Sequence, residues 1–156
     1  MKNTSSLIYP WSRQNDKRFE ILSFIGENEI LTDIGKLTDY SSLSFHTSFG
    51  FNNSKILKEM ERKIISPPIS FSKFTQKIQV ECANKLIEML NIKGAIFFTV
   101  SGAESIENAF KICRDFSKRK IILSRKKSYH GASLGALQAT GDWRHNVNFM
   151  PNEGHD

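Results

Sequence analysis

Residues 96–107, IFFTVSGAESIE, constrain the fold more than any other stretch of the chain. They open with an apolar run that has no charge and no alternation. A strand reads this way when both its faces are covered, as in a parallel sheet between helices. At Ser101-Gly102-Ala103 the character changes, with Gly102 able to turn without a Cβ clash. Beyond it Ile106, Ala109, Phe110 and Cys113 recur at helical spacing. Ser101 followed by Glu104 is the S-x-x-E pattern of a capping box, which marks a helix start. The stretch therefore reads as buried strand, tight turn, helix. Amides at the positive end of a helix dipole bind anions, so this turn is expected to hold a phosphate.

The flanking chain supports an α/β class. Residues 120–124, KIILS, read as the next buried strand, which makes a βαβ unit with the first. Residues 54–65 are predicted helical, with Ser54 as N-cap, an apolar face of Ile56, Leu57, Met60 and Ile64, and Pro67-Pro68 as the stop. Residues 76–90 form a second predicted helix, closed by Asn91 and Gly94. A third is expected over residues 131–140, weakened by Gly135. Upstream, residues 19–25 read as a strand and residues 29–40 as a hairpin turning at Thr32-Asp33-Ile34-Gly35. Residues 41–51, SSLSFHTSFGF, form a loop of hydroxyls and aromatics of the kind that lines small-molecule pockets. Phe45, Phe49 and Phe51 would equally serve to anchor that loop to a core. Residues 1–16 are a polar arm whose Tyr9, Pro10 and Trp11 suit packing on a neighbouring surface or subunit. Residues 142–156 complete no element.

Composition excludes several classes. An apolar fraction of 39% with 24% charge is that of a soluble globular chain. No run approaches the ~20 apolar residues of a membrane span. The first residues lack the apolar segment of a secretory signal, so the cytoplasm is the expected location. Cys82 and Cys113 stand singly in amphipathic stretches and read as small hydrophobes rather than metal ligands or a disulfide. The net charge of +6 is concentrated: residues 111–127 hold eight basic residues against Asp115 alone. Attraction of an anionic ligand would suit that run, but a solvated helix end is the preferred reading, because a nucleic-acid patch interleaves aromatics with its cations.

A second stretch, Ser128-Tyr129-His130-Gly131, belongs with the first. FFTVSGAESIENAFKICR followed by KIILSRKKSYHGASLGALQATG resembles the pyridoxal-phosphate-dependent class III aminotransferases, of fold type I. The Pro10-Trp11 arm, the Leu-Thr-Asp-x-x-Gly-Lys hairpin ending at Asp39 and the Ser-rich loop closing at Gly50 fall in the order of that family. The resemblance implies a partial fold: residues 1–53 as arm, β-hairpin and substrate loop of the small domain, and residues 54–156 as an incomplete cofactor-binding large domain with the first βαβ part of its sheet. It implies that Ser101 and the amides of Gly102 and Ala103 bind the cofactor phosphate. Tyr129 would stack on the pyridine ring, with His130 beside it. Phe45 falls where many relatives place a pocket-lining Trp. Glu107 matches a recurrent acid after the turn. Leu43 stands where the family often has Gly, and Phe51 where His commonly follows Gly50.

The Schiff-base lysine and the aspartate that pairs with the pyridinium nitrogen fall, by the same resemblance, beyond position 156. No catalytic residue and no metal ligand is assigned. The expected activity is transfer of an amino group from an amine or ω-amino acid to a 2-oxo acid, in a family of homodimers. This chain is expected to be an N-terminal portion of such an enzyme, inactive and poorly stable alone. The alternative is a non-catalytic module that holds a phosphorylated small molecule or an acidic partner surface. A nucleic-acid binder ranks last, since no nucleic-acid motif accompanies the charge.

Overall fold

The computed structural model of the chain describes residues 6–13, 16–65, 71 and 73–147. They fall into two compact units, Met1–Gln76 and Lys77–Asp156.

The first unit carries a three-stranded antiparallel sheet in the order β1 (Ile21–Ile25), β2 (Glu29–Thr32), β3 (Gly35–Thr38). The hairpin expected from the sequence is β2 and β3. Its turn is closed by a side chain: the Thr32 hydroxyl donates to Gly35 O at 2.8 Å and accepts from Ile34 N at 3.3 Å. Gly35 takes φ +124°, which L residues rarely adopt. The central strand contributes the buried Ile30 and Thr32. Of the three loop aromatics, Phe51 is the anchor, tilted against Phe24 with ring centroids 4.8 Å apart. Phe45 and Phe49 are exposed.

Between sheet and helix lies a single turn, α1 (Ser42–Phe45), wound in the left-handed sense. Its φ values are +52°, +43°, +58° and +73°. Asp39 ties it down by accepting from Ser41 N at 2.8 Å, Ser41 Oγ at 3.0 Å and Thr47 Oγ1 at 3.2 Å. Left-handed backbone costs roughly 1–2 kcal/mol for a residue with a Cβ. Leu43→Gly is therefore expected to stabilise this unit by about 1 kcal/mol, part of the relief being offset by a more flexible unfolded chain. A urea midpoint that falls in this variant would show that Leu43 packing outweighs the strain.

The next helix, α2, spans Ser54–Ile64. Its N-cap is Asn53 rather than the expected Ser54: Asn53 is extended, and its Oδ1 accepts from Ile56 N at 3.2 Å. Both residue types cap well, and the one with the extended backbone takes the role. Pro67 and Pro68 lie outside the described residues.

The second unit holds α3 (Lys77–Leu90), α4 (Gly102–Ser117), α5 (Leu134–Ala139) and a 3-10 turn at Trp143–Val147. Asn91 ends α3 and Lys118 ends α4, each in the left-handed conformation. The two expected central strands correct the sequence reading in one respect. Residues 95–100 and 120–124 make no ladder with each other or with any described residue. Val100 is 97% and Leu123 92% exposed. Strands consecutive in sequence are not always sheet neighbours. The expected βαβ unit is therefore not formed among the described residues, since apolar continuity reports hydrophobicity and not strand pairing. Among the described residues, no helix is long and apolar enough to cross a membrane.

Candidate functional site

Two loops of the second unit meet at the N-terminus of α4. Ser101 is extended and caps the helix, its Oγ accepting from Glu104 N at 3.1 Å. Glu104 reaches back, its Oε2 accepting from Val100 N at 3.0 Å. This is the expected box, displaced one residue outward on the return bond. Ser101 O takes the Ser105 amide at 3.1 Å. No described residue accepts from the amides of Gly102 and Ala103.

Gly102 corrects the sequence reading. It does not adopt a left-handed backbone, and a Cβ there would meet nothing within 4 Å. The turn itself does not demand glycine. What its missing side chain provides is open space beside two amides without acceptors, at the positive end of a helix of 16 residues. Those features fit a phosphate group.

The Tyr129-His130-Gly131 loop is pressed onto this turn. Gly131 is buried at φ +135°, and a Cβ added there would stand 2.7 Å from Ala103 Cβ and 2.9 Å from Ala103 Cα. The loop is held by the buried Thr140, whose hydroxyl accepts from His130 N at 3.1 Å and donates to Ala136 O at 2.9 Å. It is also stapled at its ends: Lys127 N donates to Gly141 O and Gly141 N to Ser128 O, both at 2.8 Å. Gly141 fits because a Cβ would lie 2.6 Å from Arg125 O.

Glu107 joins α4 to α5. Its Oε1 accepts from Ser133 Oγ and Gly135 N at 2.7 Å and from Ala136 N at 3.2 Å. Ser133, the N-cap of α5, makes no side-chain capping bond of its own, so Glu107 supplies the cap from the neighbouring helix. The Ser133 bond leads in holding its carboxyl below the ordinary glutamate range; burial opposes this, and the Ala136 and Gly135 amides and the Arg114 charge add to it.

Tyr129 is 47% exposed, with the Arg144 guanidinium 4.6 Å from its ring centroid. His130 is half-buried. Through Gly131 the backbone that carries Tyr129 and His130 lies against Ala103, next in the chain to Ser101 and Gly102. Phe45 belongs to the first unit and is 88% exposed there. Beside α1, a hollow of about 470 Å³ is lined by Asp39, Thr47, Phe49 and Gly50 among others, without Phe45. In the basic run, Lys118 pairs with Asp115 at 2.9 Å and Arg114 Nε donates to Lys120 O at 2.9 Å.

The sequence reading missed the contact of Gly131 on Ala103, the capping role of Glu107 and the placement of Arg144. Small residues at 103, 131, 135 and 136 were the available signal for the first two. Nothing local marked Arg144.

The chain is similar to proteins already known. The description Aminotransferase class-III matches residues 16–155. An acetylornithine aminotransferase of Streptomyces clavuligerus is 31% identical over 136 residues, covering 85% of this chain and 34% of that protein. The taurine:2-oxoglutarate aminotransferase of Bifidobacterium kashiwanohense, solved with PLP and glutamate, aligns with a TM-score of 0.82 at 26% identity, over 90% of this chain and 32% of that one. The omega transaminase of Pseudomonas jessenii, solved with PMP, gives 0.84 at 23% identity, over 96% and 36%, a likeness of fold alone. The chain spans about a third of the length of these relatives.

Proposed function

Because the chain belongs to the class-III aminotransferases, a family dependent on pyridoxal phosphate, we propose that it builds the cofactor-phosphate cradle and aromatic wall of a transaminase. The observation that carries this is the pair of amides without acceptors, Gly102 and Ala103, with the Tyr129–Gly131 loop packed against Ala103. The reaction is transfer of an amino group from an amine or ω-amino acid to a 2-oxo acid. When bound, pyridoxal phosphate supplies the carbonyl that takes up the amino group and a ring that draws off electrons.

The residues of this chain bind and orient. The Gly102 and Ala103 amides receive phosphate oxygens at the helix terminus, and Ser101 keeps that terminus in shape. The Tyr129 ring is a wall for the pyridine, with His130 beside it. Phe45 lines the substrate pocket. The division into residues 1–53 and 54–156 is part of this proposal, as a division by role rather than by compactness. So is the family's homodimer, with the N-terminal arm at its interface. None of the chain's own lysines is assigned to the Schiff base, and the chain by itself is proposed not to transaminate.

Titration with pyridoxamine phosphate, pyridoxamine and inorganic phosphate tests this reading. Pyridoxamine phosphate is expected to bind, pyridoxamine more weakly by at least tenfold. Equal binding of the two would sink the phosphate cradle. Inorganic phosphate binding as tightly as pyridoxamine phosphate would favour the non-catalytic phosphate module. Pyridoxal phosphate followed by borohydride is expected to leave no stoichiometric adduct on one lysine.

A further inference from the structure

We propose that Thr99 and Ser105 are positioning residues for the cofactor phosphate, their hydroxyls holding the peptide group that carries the Gly102 amide. The inference rests on the reading above that the Gly102 and Ala103 amides receive phosphate oxygens. The carbonyl of an N-cap residue ordinarily accepts the first bond of the helix and no more. Ser101 O has that bond, from Ser105 N at 3.1 Å. Two side chains converge on the same oxygen, Thr99 Oγ1 at 3.1 Å and Ser105 Oγ at 3.2 Å. The two hydroxyls lie 2.5 Å from each other. Each has a single proton. When one hydroxyl donates to the other, the second donates to Ser101 O. Amide and hydroxyl then fill both lone pairs of that oxygen. The effect is on Gly102. Ser101 C=O and Gly102 N–H belong to one peptide group, which is planar and trans. Its N–H therefore points opposite to its C=O. Holding Ser101 O toward Ser105, inside the first turn of α4, aims the Gly102 N–H out of the helix end, where no described residue accepts from it. The other polar groups of the turn are engaged, Val100 N with Glu104 Oε2 and Ser101 Oγ with Glu104 N. A donor aimed in advance does not have to be ordered when the phosphate arrives.

The test uses the full chain, titrated with pyridoxamine phosphate and with pyridoxamine, and reads the ratio of the two affinities. General loss of structure weakens both ligands and leaves the ratio unchanged, whereas a misaimed amide weakens the phosphate ligand alone. Thr99→Val combined with Ser105→Ala is expected to cut the ratio about tenfold, the size of one hydrogen bond to a charged group. Each single substitution should cut it about twofold, because the remaining hydroxyl still reaches Ser101 O but is no longer polarised by its partner. Thr99→Ser combined with Ser105→Thr keeps both hydroxyls and is expected to restore the parent ratio. Neither side chain is buried, so the double variant is expected to fold, and the two single variants carry the same test if it does not. The Gly102 amide proton should shift on saturation with inorganic phosphate in the parent, and by less in the double variant. A parent that discriminates between the ligands, with variants that do so equally well, would overturn this inference alone. Equal weakening of both ligands would overturn it too, by showing a general structural role. A parent that binds both ligands equally sinks the functional reading and this inference with it.

Discussion

Gly131→Ala is expected to cost roughly 3 kcal/mol or more and to abolish pyridoxamine phosphate binding, by two separate mechanisms of about 1–3 kcal/mol each. The first is conformational. Gly131 sits at φ +135°, outside the range an alanine takes without strain. The second is steric. The added methyl would stand 2.7 Å from Ala103 Cβ, 2.9 Å from Ala103 Cα and 3.0 Å from Ala136 Cβ. The Ala103 Cα is backbone of α4 and cannot swing aside like the tip of a long side chain. Relief must come from separating the Tyr129 loop from the Ser101 turn, and the site consists of that contact. Hydrogen exchange should show the amides of His130, bonded to the Thr140 hydroxyl, and Gly141, bonded to Ser128 O, losing protection before those of α3. Gly94→Ala is the control. A Cβ there meets nothing within 4 Å, so its stability should stay within about 0.5 kcal/mol of the parent. A Gly131→Ala protein with the parent's melting temperature and affinity would refute the packing described for the two motifs.

The second large effect belongs to Glu107. Glu107→Ala leaves the Ser133 hydroxyl and the Gly135 and Ala136 amides without their acceptor, and should cost about 2–3 kcal/mol. Glu107→Gln keeps an oxygen in reach and should cost about 1 kcal/mol. The pH dependence separates charge from shape. The folded carboxyl lies below its unfolded value. Its contribution is therefore present above the unfolded value of about 4.3, and is lost as pH falls through the still lower folded value. The stability difference between parent and Glu107→Gln should be constant from pH 7 to pH 5 and shrink below that. Parallel urea midpoints across the acid range would show that the carboxylate charge plays no part in the cap.

What could be read from the sequence was local. The S-x-x-E pattern at Ser101 and Glu104 located the start of α4 because both partners lie within one turn. The hairpin was legible for the same reason, its turn residues being adjacent to the strands they join. The cap of α2 moved by one residue because Asn53 and Ser54 are both good caps and backbone conformation chooses between them. Other features depend on residues far apart in the chain. Residues 95–100 and 120–124 read as strands through their apolar continuity and are not strands among the described residues, because pairing is a property of a neighbour that continuity does not name. Gly131 touches Ala103 across the length of α4 and the segment after it, and Arg144 reaches Tyr129 across the whole of α5. The left-handed turn at Ser42–Phe45 was hidden because none of its four residues is glycine. Its trace was the Leu at 43, where the resembling family often has Gly.

The staple at Gly141 has a thermodynamic consequence for whatever ligand the loop receives. The segment from Ser128 to Gly141 is closed by its own backbone bonds. Immobilising a residue's backbone costs about 1–2 kcal/mol, and an open loop would charge that ordering against ligand affinity. Here the ordering is completed when the chain folds, along with the loss of loop-closure entropy. Association then carries little conformational penalty from Tyr129 and His130, and the heat of binding reports contacts rather than the freezing of a loop.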